Sequence, residues 1–253
     1  MRLELMTSPA VAAYLARSTA IIVPTGSTEQ HGPTGLIGTD HLCAQAIARG
    51  MGAREGVLVA PTITLGMSQF HLGFPGSLTL RPSTLSAVIH DLIASLQATG
   101  FTRVYFLNGH GGNVAPIRSA IQEFHTAESF ASAAPSRIQC RLRSWWELPG
   151  VNALRQQLYG AQEGSHATPS ELAITMAAEP DSIREFTLPP PIATNDLLDH
   201  AGDNYLDATD YRTRFPDGRV GSHSALATHA DGTRLLATAI NDLAADFARF
   251  AAS

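Results

Sequence analysis

Glu29 and His31 stand two residues apart in the run Gly26-Ser27-Thr28-Glu29-Gln30-His31-Gly32-Pro33, and Asp40 follows shortly after in Gly38-Thr39-Asp40-His41. His110 lies in a second glycine-rich run, Asn108-Gly109-His110-Gly111-Gly112-Asn113, and a third cluster extends from Gly164 through His166 to Glu171. A locally extended backbone would aim Glu29 and His31 at one point. Asp40, at the start of the next helix, is close enough in sequence to return to it, and His110 arrives from a separate strand end. Two imidazoles and two carboxylates without a thiol suit Zn, Mn or Fe, and one carboxylate can bridge two such ions. A pair of ions roughly 3.5–4 Å apart polarises a carbonyl and makes water nucleophilic at neutral pH, which is chemistry that attacks amides.

Each residue also has a plainer reading. His110 alone could be a turn histidine, and Asp40 could favour a helix N-terminus through the dipole. The run Asn108 to Asn113 could be an anion nest, although it lacks both GxGxxG and P-loop spacing. Thr168-Pro169-Ser170-Glu171 fits a capping box with Pro at N1, a role compatible with a site-facing acid. His166 could be an exposed loop residue, and Trp145-Trp146 could be core or oligomer contacts.

The elements that must position these groups alternate. Ala20 to Pro24, Val57 to Ala60, Val104 to Leu107 and Arg137 to Arg143 read as strands, the first three of them short apolar runs. Helices are expected from Ser8 to about Ala16, Asp40 to Met51, Ser83 (as cap) to about Ala98, Val114 to Phe130 and Gly232 to Ala251. Buried strands separated by helices predict an α/β fold, a three-layer α/β/α sandwich with a mostly parallel sheet. Ligands bind such sheets beyond the carboxyl ends of the strands, where the first two polar runs fall. Gly66 to Pro82 is expected to be a long loop. Beyond Trp146 the pattern loosens, and Pro189 to Asp210 reads as a surface excursion.

A chain of 253 residues can bury its core as one domain, here taken as 1–253. Its 17 basic against 22 acidic residues give a net charge of −5 without a basic stripe, so nucleic acid is not an expected partner. Two cysteines, Cys43 and Cys140, outside any CxxC spacing fit reduced thiols. With no signal-like N-terminus and no apolar run of spanning length, a cytoplasmic protein without a membrane partner is expected.

The runs Pro24 to Pro33 with Gly38-Thr39-Asp40, Phe74-Pro75-Gly76-Ser77-Leu78-Thr79-Leu80, and Asn108 to Asn113 resemble the conserved blocks of the creatininase (creatinine amidohydrolase) family. Ser165-His166-Ala167 through Glu171 resembles its later His-Ala-Gly block, and Ala225 to Thr228 with Gly232 its last one. The likeness runs from about Ile21 to Leu236. It implies a two-metal hydrolase, assembled as a homohexamer, that acts on a small-molecule substrate. Glu29, Asp40 and His110 would hold one divalent metal (Zn, Mn or Fe), and His31 with a bridging Asp40 the other. His166 would be catalytic and pass a proton to the leaving nitrogen. Ser68, His71, Trp145 and Trp146 would contact substrate.

One position departs from the family pattern. Creatininase proper has a Glu two residues after the third-block His, completing the second ion's shell, and here that residue is Gly112. Glu171 is the nearest substitute, as a ligand or catalytic acid. The expected activity is therefore cleavage of a non-peptide, cyclic amide C–N bond by metal-activated water. Deformylation of a formamidopyrimidine-type substrate and a non-catalytic ligand-binding role are the alternatives.

Overall fold

The computed structural model describes residues 1–131, 138–182, 190 and 206–252. Four parallel strands, β1 (Ala20–Thr25), β2 (Leu58–Val59), β3 (Arg103–Asn108) and β4 (Gln139–Ser144), pair in the order β2-β1-β3-β4. Alternation along the strands sorts side chains between two cores. Ile21, Val23, Val104 and Phe106 face α1 (Ser8–Leu15), α3 (Pro82–Ala98) and α4 (Val114–Ala131). Ala20, Ile22, Tyr105 and Leu107 face α2 (Thr39–Glu55), α5 (Pro149–Tyr159), α6 (Pro169–Ala178) and α8 (His229–Ala252). Burial on both faces is why β1 and β3 read as unbroken apolar runs, and the three-layer α/β arrangement is the expected one.

Several boundaries differ from the sequence reading. α3 begins at Pro82 with Arg81 as its flanking residue, so Pro at the first position, not Ser83 as cap, opens it. α8 starts at His229, three residues earlier than Gly232, because Thr228 caps it by accepting from Asp231 N at 3.1 Å. Gly232 lies inside this helix because a Cβ there would run into the Ala173 carbonyl of α6. The long loop from Gly66 carries a short 3₁₀ turn, Gln69–Gly73.

α5 and α7 (Ala208–Arg214) fall outside the expected helices, and of α6 the sequence shows only the capping box at its start. In α6 the residues from Pro169 to Thr175 are all buried, so no polar face exists to reveal a helical period. α7 overlaps the end of the expected excursion from Pro189, most of which lies outside the described residues, as does Arg137. Among the described residues no helix is long and apolar enough to cross a membrane.

Candidate metal centre

β1 and β3 end side by side, with Thr25 opposite Asn108. The chain leaves β1 for β2 on one flank and β3 for β4 on the other, so the crevice between their carboxyl ends is the sheet's switch point. Gly26 and Gly109 follow directly. A Cβ on Gly26 would strike the His41 backbone, and one on Gly109 would strike the Asp40 carbonyl. Without them the first turn of α2 seats on both strand ends, and Asp40 enters the crevice. Asn108 fixes His110 twice: its Nδ2 donates to His110 O at 2.6 Å and its Oδ1 accepts from His110 N at 3.1 Å. Asn113 Nδ2 donates to Gly26 O at 2.9 Å while its Oδ1 accepts from Met67 N at 3.1 Å. The amide side chains of this run tie the loops around Asp40 together.

Glu29, His31, Asp40 and His110 converge and are buried. Asp40 Oδ1 lies 3.0 Å from His31 Nε2, and Asp40 Oδ2 lies 3.1 Å from His110 Nδ1. Glu29 Oε1 is 3.3 Å from the same His110 nitrogen. The far nitrogen of each ring is pinned by a carbonyl: His31 Nδ1 donates to Glu29 O at 3.1 Å and His110 Nε2 to Met67 O at 2.9 Å. A carbonyl only accepts, so one proton sits on the pinned nitrogen of each ring, leaving the other nitrogen to offer a lone pair to an ion or, without one, to take up a second proton. Both Glu29 oxygens and Asp40 Oδ2 are buried and accept no hydrogen bond. Buried carboxylate oxygens are expensive unless a cation meets them, and Glu29, His31 and Asp40 have ligand atoms close enough to share one. The donor set fits a divalent ion.

The electrostatics carry the same sign. Burial works against charge on His31, yet Asp40 and then Glu171 overcome it and raise its pKa to about 10. His110 is likewise raised well above the ordinary value, burial being outweighed by Glu29 and Asp40. Asp40 is lowered, its burial overcome by His31 and His110. With no metal, protons on these two rings supply the positive charge that the carboxylates require.

Glu171 does two things. One oxygen closes the capping box of α6 through Thr168 N, and the other, Oε2, reaches to 3.8 Å from His31 Nε2. Burial, with Asp40 and Glu163 adding and His31 opposing, lifts its pKa to about 7. His166 is partly buried rather than exposed, its Nε2 donating to Gln30 O at 2.8 Å and its Nδ1 lying 3.7 Å from Glu29 Oε1. Burial, then His71 and His31, holds this ring well below the ordinary histidine range. The residue that follows it is unusual: Ala167 has φ 56°, in the left-handed region that side chains avoid.

The residues expected to touch substrate separate into two groups. Trp145 and Trp146 line a cavity of about 300 Å³ together with Asp40, His110, His166 and Glu171. Ser68 and His71 lie outside that lining; Ser68 is buried against Ser27. His71 is buried beside Glu29, its Nε2 3.3 Å from Glu29 Oε1. Gln30, to which the sequence reading gave no role, explains its state. Its Oε1 accepts from Gly32 N at 2.8 Å, and its Nε2 donates to Gly218 O at 3.1 Å and His71 Nδ1 at 2.9 Å. His71 Nδ1 therefore accepts, and Nε2–H points at Glu29. Burial, then the His110 and His31 cations, lowers the His71 pKa to about 3. Although its Nε2 lies close to Glu29 and His166, it offers a proton there, not a lone pair. The signal for Gln30 was its place between Glu29 and His31, since an extended backbone turns the middle side chain the opposite way.

A parallel α/β sheet with buried imidazoles and carboxylates gathered at its switch point is the construction of a metal-dependent hydrolase. The creatinine amidohydrolase family model matches residues 4–247, and the chain belongs to the creatininase family, whose members are hydrolases acting on C–N bonds. The mycofactocin precursor peptide peptidase of Mycolicibacterium smegmatis is 28% identical over 240 residues, 88% of this chain and 82% of that protein. The creatinine amidohydrolase of Pseudomonas putida is 29% identical over 174 residues, 64% of this chain and 65% of that one. A creatininase structure with manganese superposes with a TM-score of 0.82 at 23% identity, covering 98% of both chains.

Proposed function

We propose that this protein is a two-metal amidohydrolase that cleaves a non-peptide, cyclic amide C–N bond in a small molecule with metal-activated water. The observation that carries the reading is Asp40: its two oxygens face two different histidines, His31 and His110, each turned lone-pair-inward by a backbone carbonyl. Glu29, Asp40 and His110 would hold one ion; His31, Asp40 and Glu171 would hold the second. Manganese and Zn–Zn creatininase structures support this choice of metals. When bound, the ions supply a Lewis acid for the scissile carbonyl and a water nucleophilic at neutral pH.

The remaining work belongs to the chain. His166, neutral and with Nδ1 unprotonated, takes up a proton and returns it to the leaving nitrogen. Glu171 keeps α6 capped with one oxygen while the other faces His31. Gln30 and His71 hold Glu29 in place from behind. Trp145 and Trp146 narrow the cavity, whose volume of about 300 Å³ suits a small substrate. A second reading, a C–N bond at the end of a short peptide, is favoured by the coverage of the M. smegmatis relative.

The test is elemental analysis of the purified protein, followed by turnover of cyclic amides, formamides and short peptides. The proposal expects up to two equivalents of Zn, Mn or Fe, lost in Asp40→Ala. A chain that carries no metal, or an Asp40→Ala variant with full turnover, overturns it.

A further inference from the structure

The cavity wall opposite in character to the metal centre combines Trp145 and Trp146 with one residue of α5. Arg155, a half-buried side chain of that helix, is the one guanidinium lining the cavity among the described residues. It is held firmly. Its Nε donates to Glu163 Oε1 at 2.8 Å, its Nη1 donates to Trp146 O at 3.4 Å, and its plane stands 5.8 Å from the centre of the Trp145 ring. Glu163 is itself buried and steadied by the Ser170 hydroxyl. A guanidinium has five N–H donors, and these contacts use two of them. Trp145, also in the lining, is fully buried, and its indole Nε1–H has no hydrogen-bond partner. A native structure seldom leaves such a donor unmade without a reason.

From this we infer that the cavity has a carboxylate-recognising wall, and that the amide hydrolysed here carries a carboxylate bound by Arg155 and the Trp145 indole. The inference rests on the amidohydrolase reading for the scissile bond, but it concerns a different part of the substrate. A neutral amide carbonyl would use a single N–H of this guanidinium. A planar carboxylate matches the fork of an arginine and accepts an indole N–H as well. Asp40 and Glu171, in the same cavity, are engaged by His31 and by the cap of α6, so the wall's free donors are those of Arg155 and Trp145.

The experiment compares matched probes on the metal-loaded protein by calorimetry: 5-oxoproline against 5-oxoprolinamide, and N-formylglycine against N-formylglycinamide. The carboxylate of each pair is expected to bind roughly ten- to a hundredfold more tightly, the factor of a charge-assisted hydrogen bond. The preference should collapse in Arg155→Gln and return in part in Arg155→Lys, with metal content unchanged. Because Arg155→Gln leaves Glu163 buried without its partner, the Arg155→Gln, Glu163→Gln double variant provides a neutral wall of the same shape. No preference in the natural chain overturns the inference. So does a preference that survives in both the single and the double variant, since the carboxylate would then be sitting on the metal. Anion selectivity without hydrolysis of any amide would defeat the enzymatic reading and leave the wall standing; hydrolysis without selectivity would do the reverse.

Discussion

Metal-free protein should lose stability as pH rises above the ordinary histidine range, and Asp40→Asn should blunt the loss. An unfolded chain gives up its histidine protons near pH 6.5, whereas folded His31 keeps its own to about 10 and His110 is shifted in the same direction. Between these limits the folded state binds more protons than the unfolded state. Stability is then fully present below about pH 6.5 and is withdrawn as pH climbs through the folded value. Each retained proton contributes a slope of about 1.4 kcal/mol per pH unit. For a chain of this length that corresponds to roughly 3–6 °C in Tm per pH unit. The assay is a series of thermal melts of chelated protein from about pH 7 to 8, below the ordinary thiol pKa of about 8.5, past which Cys43 and Cys140 would add a loss of the same sign. In Asp40→Asn the slope should shrink by about one proton's worth, because Asp40 does most to raise the His31 pKa against the effect of burial. Saturating metal should flatten it as well, since ion and proton compete for the same lone pairs. A metal-free Tm that holds steady or rises across this window, or equal slopes in the two chains, would refute the argument.

His166→Ala should retain its metal and lose turnover by roughly 10²- to 10⁴-fold, the range of a positioned acid–base group; paired metal analysis and kcat measurements check it. Gly112→Glu should not restore the family's missing ligand. A Cβ at Gly112 would stand 2.5 Å from Met67 O and 2.6 Å from His110 Nε2, so the bond between them must break, and metal affinity measured by competition with a chelator should fall about 10- to 100-fold. Ala167→Val should destabilise more than Ala167→Gly in denaturant titrations, because only glycine is at ease at φ 56° and a β-branched residue is least so.

What the sequence made legible follows from how locally each feature is encoded. β1 and β3 are apolar on both faces, so their strings identify them and place the polar runs at their ends. Glu29, His31 and His110 lie within a few residues of those ends, Asp40 opens the helix that follows β1, and the structure brings them together. The acid at Glu171 reads as a cap and, through the family likeness, as a substitute ligand; the packing of α6 against α2 brings its other oxygen to 3.8 Å from His31. Three partners were hidden for the same reason. Met67 and Gly218 act through backbone carbonyls, which residue type does not encode, and Arg155 sits on a helix with only Val151 and Tyr159 fully buried, too weak a pattern to announce it. His71 was noticed but set among the groups touching substrate; its position behind Glu29 depends on Gln30, a contact 41 residues apart in sequence.

The rings of His31, His110 and His166 are each oriented by a main-chain oxygen, from Glu29, Met67 and Gln30. No side-chain replacement deletes such an acceptor. Drift in the walls, at Trp145, Trp146 or Arg155, can therefore re-aim the enzyme at new molecules while the tautomers that make it reactive are inherited unchanged with the path of the backbone.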